Sequence, residues 1–207
     1  MSIRRIIILF VGLAALALGY YFFFQQEEAA ITNYPSAGAD IIAFGDSLVS
    51  GSGATPGKDF VSLLSARVGE SIVNLGVPGD TTADGLARIE ALDRYKPKVV
   101  LLLLGGNDYL RRVPRETIFA NLGKIIEEIH ARGAVVILLG VKGSLFGDAF
   151  EQQFETLRDR YGTAYVPNVL DGVFADSRYM ADAIHPNDAG NQIIANRIYP
   201  ILATLLY

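Results

Sequence analysis

A chain of 207 residues is long enough for one domain with a proper hydrophobic core. Hydrophobic residues make up 51% of it and charged ones 19%, which argues against disorder and leaves room for contact with lipid; a net charge of -4 without a long basic run argues against a nucleic-acid partner. The absence of cysteine removes disulfides, Cys-based zinc sites and a thiol nucleophile, and two histidines, His130 and His185, are too few for a His-rich metal site.

At the N-terminus, Arg4 and Arg5 precede an uncharged run of 19 residues, 6–24, which ends at Gln25-Gln26-Glu27-Glu28. As a helix it would reach roughly 28 Å, close to the hydrocarbon thickness of a bilayer. Tyr20 and Tyr21 sit near its far end, where amphipathic rings favour the interface. The basic flank comes first and the acidic flank last, so the N-terminus is expected in the cytoplasm and the remainder outside it, in the periplasm or beyond. Residues 1–28 are therefore expected to be a retained signal-anchor and transmembrane segment, 29–39 a linker and 40–207 the globular domain. Two other readings stay open: a signal peptide cleaved near Ala15-Leu16-Ala17, which would make the protein secreted, and a buried domain helix.

From Asp40 onward, short apolar runs alternate with helix-period segments. Residues 41–44 predict a buried strand, followed by a Gly/Ser-rich loop through Gly57. Phe60, Leu63, Leu64 and Val68 have helical spacing, and 71–75 predicts a second strand. Thr81 or Thr82 is placed to cap a helix whose stripe is Leu86, Ile89 and Leu92. Residues 99–104 are nearly continuous aliphatic, as in a strand covered on both faces. Ile118, Leu122, Ile125, Ile126 and Ile129 predict an amphipathic helix, and 135–139 the next strand. Phe150, Phe154, Leu157 and Tyr161 suggest another helix, 164–166 a weak fifth strand, and 188 onward a last helix that Pro200 is expected to kink. This alternation means a parallel sheet with helices on both faces, and in such a sheet ligands bind at the carboxyl ends of the strands.

Ser47, Gly79 and Asn107 fall after the first three predicted strands, and so converge on that edge. A serine hydroxyl is a poor nucleophile unless a base is beside it and donors face the developing oxyanion. Asp182-Ala183-Ile184-His185-Pro186 offers a carboxylate and an imidazole three residues apart, in the chain order Ser, Asp, His. The glycine-rich stretch 51–59 has neither phosphate-loop nor dinucleotide spacing, and is read as turns. His130, at a helix end, suits the helix dipole and is read as structural.

Gly45-Asp46-Ser47-Leu48, Gly79-Asp80-Thr81, Gly105-Gly106-Asn107-Asp108 and Asp182-Ala183-Ile184-His185-Pro186-Asn187 together resemble the four ordered blocks of the GDSL or SGNH hydrolase family. The similarity is greatest to its bacterial thioesterase I/lysophospholipase L1/arylesterase branch and spans roughly residues 40–206. The resemblance implies a flavodoxin-like α/β/α fold with a five-stranded parallel sheet in the order 2-1-3-4-5. It further implies a nucleophile at Ser47, a triad completed by Asp182 and His185, and an oxyanion hole from the Ser47 and Gly79 N–H groups and the Asn107 amide. Asp46 and Asp108 are read as bracing loops through local hydrogen bonds. Val49, Tyr109, Leu110, Lys142 and Ile184 lie near these blocks in sequence and are candidates for lining an acyl site.

The expected reaction is hydrolysis of a carboxylic ester or thioester, on a small acyl-ester or lipid-like substrate, by a monomeric catalytic domain with no metal or organic cofactor. An O-acetylesterase acting on an envelope carbohydrate is the first alternative. A non-catalytic envelope binding protein is the second, although such a protein has no need of base, orienting acid and oxyanion donors together.

Overall fold

The computed structural model describes residues 30–141, 148–174 and 176–207. The apolar run at 6–24, expected to span a membrane, lies outside the described residues, as does Lys142. Among the described residues no helix is long and apolar enough to cross a membrane.

Strand β1 (Asp40–Gly45) is buried from Ile41 onward. A one-turn helix α1 (Ser47–Ser50) follows, capped by Asp46, whose Oδ1 accepts from the Leu48 N–H at 3.0 Å. Helix α2 (Phe60–Val68) is capped by Asp59, and strand β2 (Ile72–Gly76) begins one residue later than the apolar run suggests. Helix α3 (Thr82–Ala87) opens on a capping box between Thr81 and Asp84.

The single helix expected through Leu92 is two elements: α3 closes at Arg88, and a 3-10 helix covers Ile89–Arg94. Ile89 and Leu92 are three apart, a spacing that fits the 3-10 repeat as well as an α-helical face.

Strand β3 (Pro97–Leu103) starts on a proline, tolerated at a strand's first residue. Then come α4 (Gly106–Leu110), α5 (Arg115–Ala131), β4 (Val135–Leu139), α6 (Asp148–Tyr161), β5 (Ala164–Val166) and α7 (Asp188–Leu206). Helix α7 runs on through Pro200, and Asn187 caps it by accepting from the Gly190 N–H.

The five strands are all parallel in the order β2-β1-β3-β4-β5. Helices α2 and α7 pack together, as do α3 with α5 and α5 with α6, so the sheet is covered on both faces. Every residue of β3 from Val99 to Leu103 and every residue of β4 is therefore buried.

Residues 31–39, expected as a linker, belong to this compact unit. Thr32 donates to the Gly162 carbonyl at 2.8 Å, and the Asn33 amide donates to the carbonyls of His130 and Ala134 at 2.9 and 3.1 Å. His130 stands in the last turn of α5, and burial lowers its pKa.

Gly45 is the last residue of β1, and a methyl group there would lie 2.2 Å from the Leu103 carbonyl oxygen and 2.5 Å from Val49 Cγ2. The Leu103 carbonyl cannot retreat without parting β1 from β3. Gly45→Ala is expected to cost about 3 kcal/mol, at the upper end of overpacking effects, read as a lower urea midpoint at unchanged slope.

Candidate active site

Three loops leave the carboxyl edge of the sheet side by side, because β1 lies between β2 and β3 with Gly45 level with Gly76 on one side and Leu103 on the other. The first loop turns at once into α1 and puts Ser47 at its start, half-buried. The second carries Gly79 at φ +87°, a left-handed conformation suited to glycine. The third carries Asn107 on the first turn of α4.

A fourth loop, before α7, brings the imidazole. The Asp182 Oδ1 accepts from the backbone N–H groups of Ile184 and His185, both at 2.8 Å, and this Asx-type turn folds the segment back on itself. The Asp182 Oδ2 lies 2.7 Å from His185 Nδ1. A carboxylate can only accept, so Nδ1 carries the proton and the Nε2 lone pair is left facing Ser47 Oγ at 3.1 Å.

The His185 bond, with the two backbone donors, holds Asp182 down at about 2, so it stays ionised well below neutral pH. The loop is locked from behind. Asn191, 2% exposed, donates to the carbonyls of Pro186 and Asn187 and accepts from the Phe60 N–H. A side chain on Gly53 would lie 2.8 Å from His185 Cβ and from the Pro186 carbonyl, so the glycine-rich stretch serves to let this loop approach.

The Asn107 amide donates to the Asp80 carbonyl at 3.0 Å and lies 3.4 Å from Asp46 Oδ2. It thus sits between the residue before Ser47 and the residue after Gly79. Asp108 does not brace its loop locally: it accepts from the N–H and hydroxyl of Thr82 at 2.8 and 2.6 Å, tying α4 to the start of α3. Asp46 is 3% exposed. Burial pushes its carboxyl up to about 7, against the opposing pull of the Leu48 N–H and of nearby His185.

Beside Ser47 and Asn107 opens a cleft walled by Leu48, Leu110, Val141, Leu170, Phe174 and Ile184. Of the candidates for an acyl site, Leu110 and Ile184 line it. Val49 does not: it is fully buried against Gly45. Tyr109 turns away as well, its ring meeting Phe150 edge-on at 5.6 Å. Lys142 lies outside the described residues. Sequence reasoning missed Val141, Leu170 and Phe174, which follow β4 and β5. The strand-end rule that found Ser47 and Asn107 would have pointed to them had it been applied to the last two strands.

A Ser–His–Asp chain with backbone and amide donors beside it suits acyl transfer. Among the described residues no group of acidic or imidazole side chains could hold a metal ion. The GDSL-like Lipase/Acylhydrolase family model matches residues 43–193. The esterase TesA of Pseudomonas aeruginosa is 33% identical over 183 residues, covering 83% of this chain and 91% of that protein. An arylesterase of Vibrio mimicus is 32% identical over 171 residues, covering 77% and 86%. A crystal structure of TesA superposes with a TM-score of 0.77 at 33% identity, over 81% of this chain and all of that one.

Asp46 predicts a pH signature. The native protein holds a proton that the unfolded chain gives up between pH 3.8, the ordinary value, and about 7. The stability that this proton contributes is complete below 3.8 and is lost as pH rises to about 7. Asp46→Asn keeps an acceptor for Leu48 and cannot ionise. The difference in Tm, variant minus wild type, is expected to climb from about pH 4 to about pH 7 and then level off; a flat difference would show that the carboxyl titrates alike in both states.

Proposed function

The chain belongs to the GDSL-like lipase/acylhydrolase family and is a serine esterase; from that premise we propose that Ser47 forms an acyl-enzyme with the chain of a lipid-like carboxylic ester or thioester. The observation that carries the reading is the continuous hydrogen-bonded line from Asp182 through His185 to Ser47, at 2.7 and 3.1 Å.

In this mechanism His185 Nε2 takes the Ser47 proton as Oγ attacks the carbonyl, and Asp182 stabilises the imidazolium that forms. The oxyanion is met by the N–H groups of Ser47 and Gly79 and by the Asn107 amide. For the amide to turn one N–H to the oxyanion it gives up only the long 3.4 Å contact with Asp46, while the 3.0 Å bond to Asp80 holds it in place. Collapse of the intermediate expels an alcohol or thiol that takes its proton from His185. The imidazole then activates a water to release the acid. No step calls for a metal or organic cofactor, and one chain supplies every group, so the domain is proposed to act as a monomer.

The cleft supports an acyl chain over an acetyl group. Its wall is aliphatic and aromatic, and an acetyl group is too small to cover the six apolar side chains that form it. This favours an acyl group longer than acetyl over deacetylation of an envelope carbohydrate. The apolar run at residues 6–24 and its charge flanks support a membrane anchor with the hydrolase outside the cytoplasm.

The test uses the full-length chain in mild detergent with p-nitrophenyl esters of rising chain length. Activity is expected to rise from acetyl toward medium chains and to vanish in Ser47→Ala. Asn107→Ala is expected to lose about 10²–10³ in kcat, as for an oxyanion donor. Equal activity in wild type and Ser47→Ala would falsify the assignment, and a sharp acetyl preference would reverse the substrate reading. A C-terminal reporter is expected to be active outside the cytoplasm; activity inside it would overturn the topology.

A further inference from the structure

Arg88 lies outside all four sequence blocks, yet its side chain hydrogen-bonds to the first two of them, as the Asn107 amide does from within the third. It closes α3, its backbone N–H bonded to the carbonyls of Asp84 and Gly85, and its guanidinium points back beneath the site. Nε donates to Asp80 Oδ2 at 2.6 Å, and Nη2 donates to the Gly45 carbonyl at 2.9 Å. The guanidinium carbon stands 4.1 Å over the Phe44 ring. Both partners are largely out of water, with side-chain exposures of 23% for Arg88 and 11% for Asp80. A planar fork donates in two fixed directions while laying its face on a ring; a lysine ammonium has three donors but neither that fixed spread nor a flat face.

What those partners adjoin gives the contact its meaning. Gly45 is two residues before Ser47. Asp80 follows Gly79, and its own carbonyl holds the Asn107 amide at 3.0 Å. One guanidinium therefore fixes the spacing among the three donors assigned above to the oxyanion. We propose that Arg88 is a positioning residue for the oxyanion hole, acting through Asp80 and Gly45 on the Ser47 and Gly79 N–H groups and the Asn107 amide, and touching no substrate itself. The proposal rests on the site assignment of the preceding section.

Donors misplaced by a fraction of an ångström still permit substrate to bind in the apolar cleft but lose hold of the charged intermediate. Arg88→Ala is accordingly expected to lower kcat about 10²-fold with KM within about threefold of wild type. Arg88→Lys is expected to fall between the two, and guanidinium ions at millimolar concentration to restore part of the Arg88→Ala rate.

The readout that a merely structural role would not move is affinity for an acyl trifluoromethyl ketone, which becomes a tetrahedral oxyanion on the serine. Across wild type, Arg88→Lys and Arg88→Ala it should weaken in proportion to kcat/KM, while affinity for the matching fatty alcohol stays constant. Should Arg88→Ala not fold, as thermal unfolding would reveal, Arg88→Lys carries the same comparison. A folded variant with unchanged kcat, or ketone and alcohol affinities falling together, overturns the proposal. Ser47→Ala in the same series separates the two readings: if it is inactive while the Arg88 variants keep full rate, only the positioning role fails; if it is active, the nucleophile assignment fails first.

Discussion

The site depends on the pairing of β1 with both of its neighbours at once. Gly45 is level with Gly76 and with Leu103, so the chain leaves three adjacent strands at one height. A slip of one residue along either ladder would move a loop by about 3.3 Å and turn its side chains to the opposite face. Oxyanion donors work within a few tenths of an ångström. Register is thus a chemical requirement here as well as a packing one. It is enforced by a core in which Ile41 through Phe44 and Val99 through Leu104 are all but fully buried.

That edge is also where the molecule buries three aspartates close together, and each is met differently. Asp80 has a guanidinium, Asp108 has the N–H and hydroxyl of Thr82, and Asp46 keeps its proton through most of the acid range. Burying carboxyls is costly unless every oxygen finds a donor or the charge is removed. The arrangement holds loops that contribute few apolar contacts of their own. A hydrogen-bonded network gives such loops the fixed direction that hydrophobic burial, being non-directional, does not supply.

The strands were legible because a sheet covered on both faces needs aliphatic runs, and the hydrogen-bonded chain of Ser47, His185 and Asp182 because its residues sit in compact blocks. The break at Arg88 was misread because a stripe at 86, 89 and 92 fits a 3-10 repeat as well as a helix face, and nothing near it reveals which. Val49 and Tyr109 were misplaced for a related reason. Closeness in sequence to Ser47 or Asn107 does not say which side of a one-turn helix faces the cleft, and both turn inward. Leu170 and Phe174 come from an irregular segment with no period to follow. Arg88 itself could not be found from the sequence, since its partner at Gly45 is 43 residues away and is a backbone carbonyl, which leaves no side-chain signature.

The division of labour among the loops bears on how such a site can change. In the proposed mechanism the chemistry rests on Ser47, Gly79, Asn107, Asp182 and His185, held by hydrogen bonds to the sheet edge and to one another. The wall beyond Leu48 comes from other places: Leu110 at the end of α4, Val141 after β4, Leu170 and Phe174 after β5, and Ile184 on the imidazole loop. None of their side chains can hydrogen-bond, so altering them changes the volume and apolar area offered to the acyl chain while leaving the catalytic network intact. Ile184 is the exception in position, because its backbone N–H is one of the two that shape the Asp182 turn. A change of its side chain is tolerable, whereas proline there would remove a donor from Asp182 and disturb the base. Specificity and chemistry are separable at four of these five wall positions and coupled at the fifth.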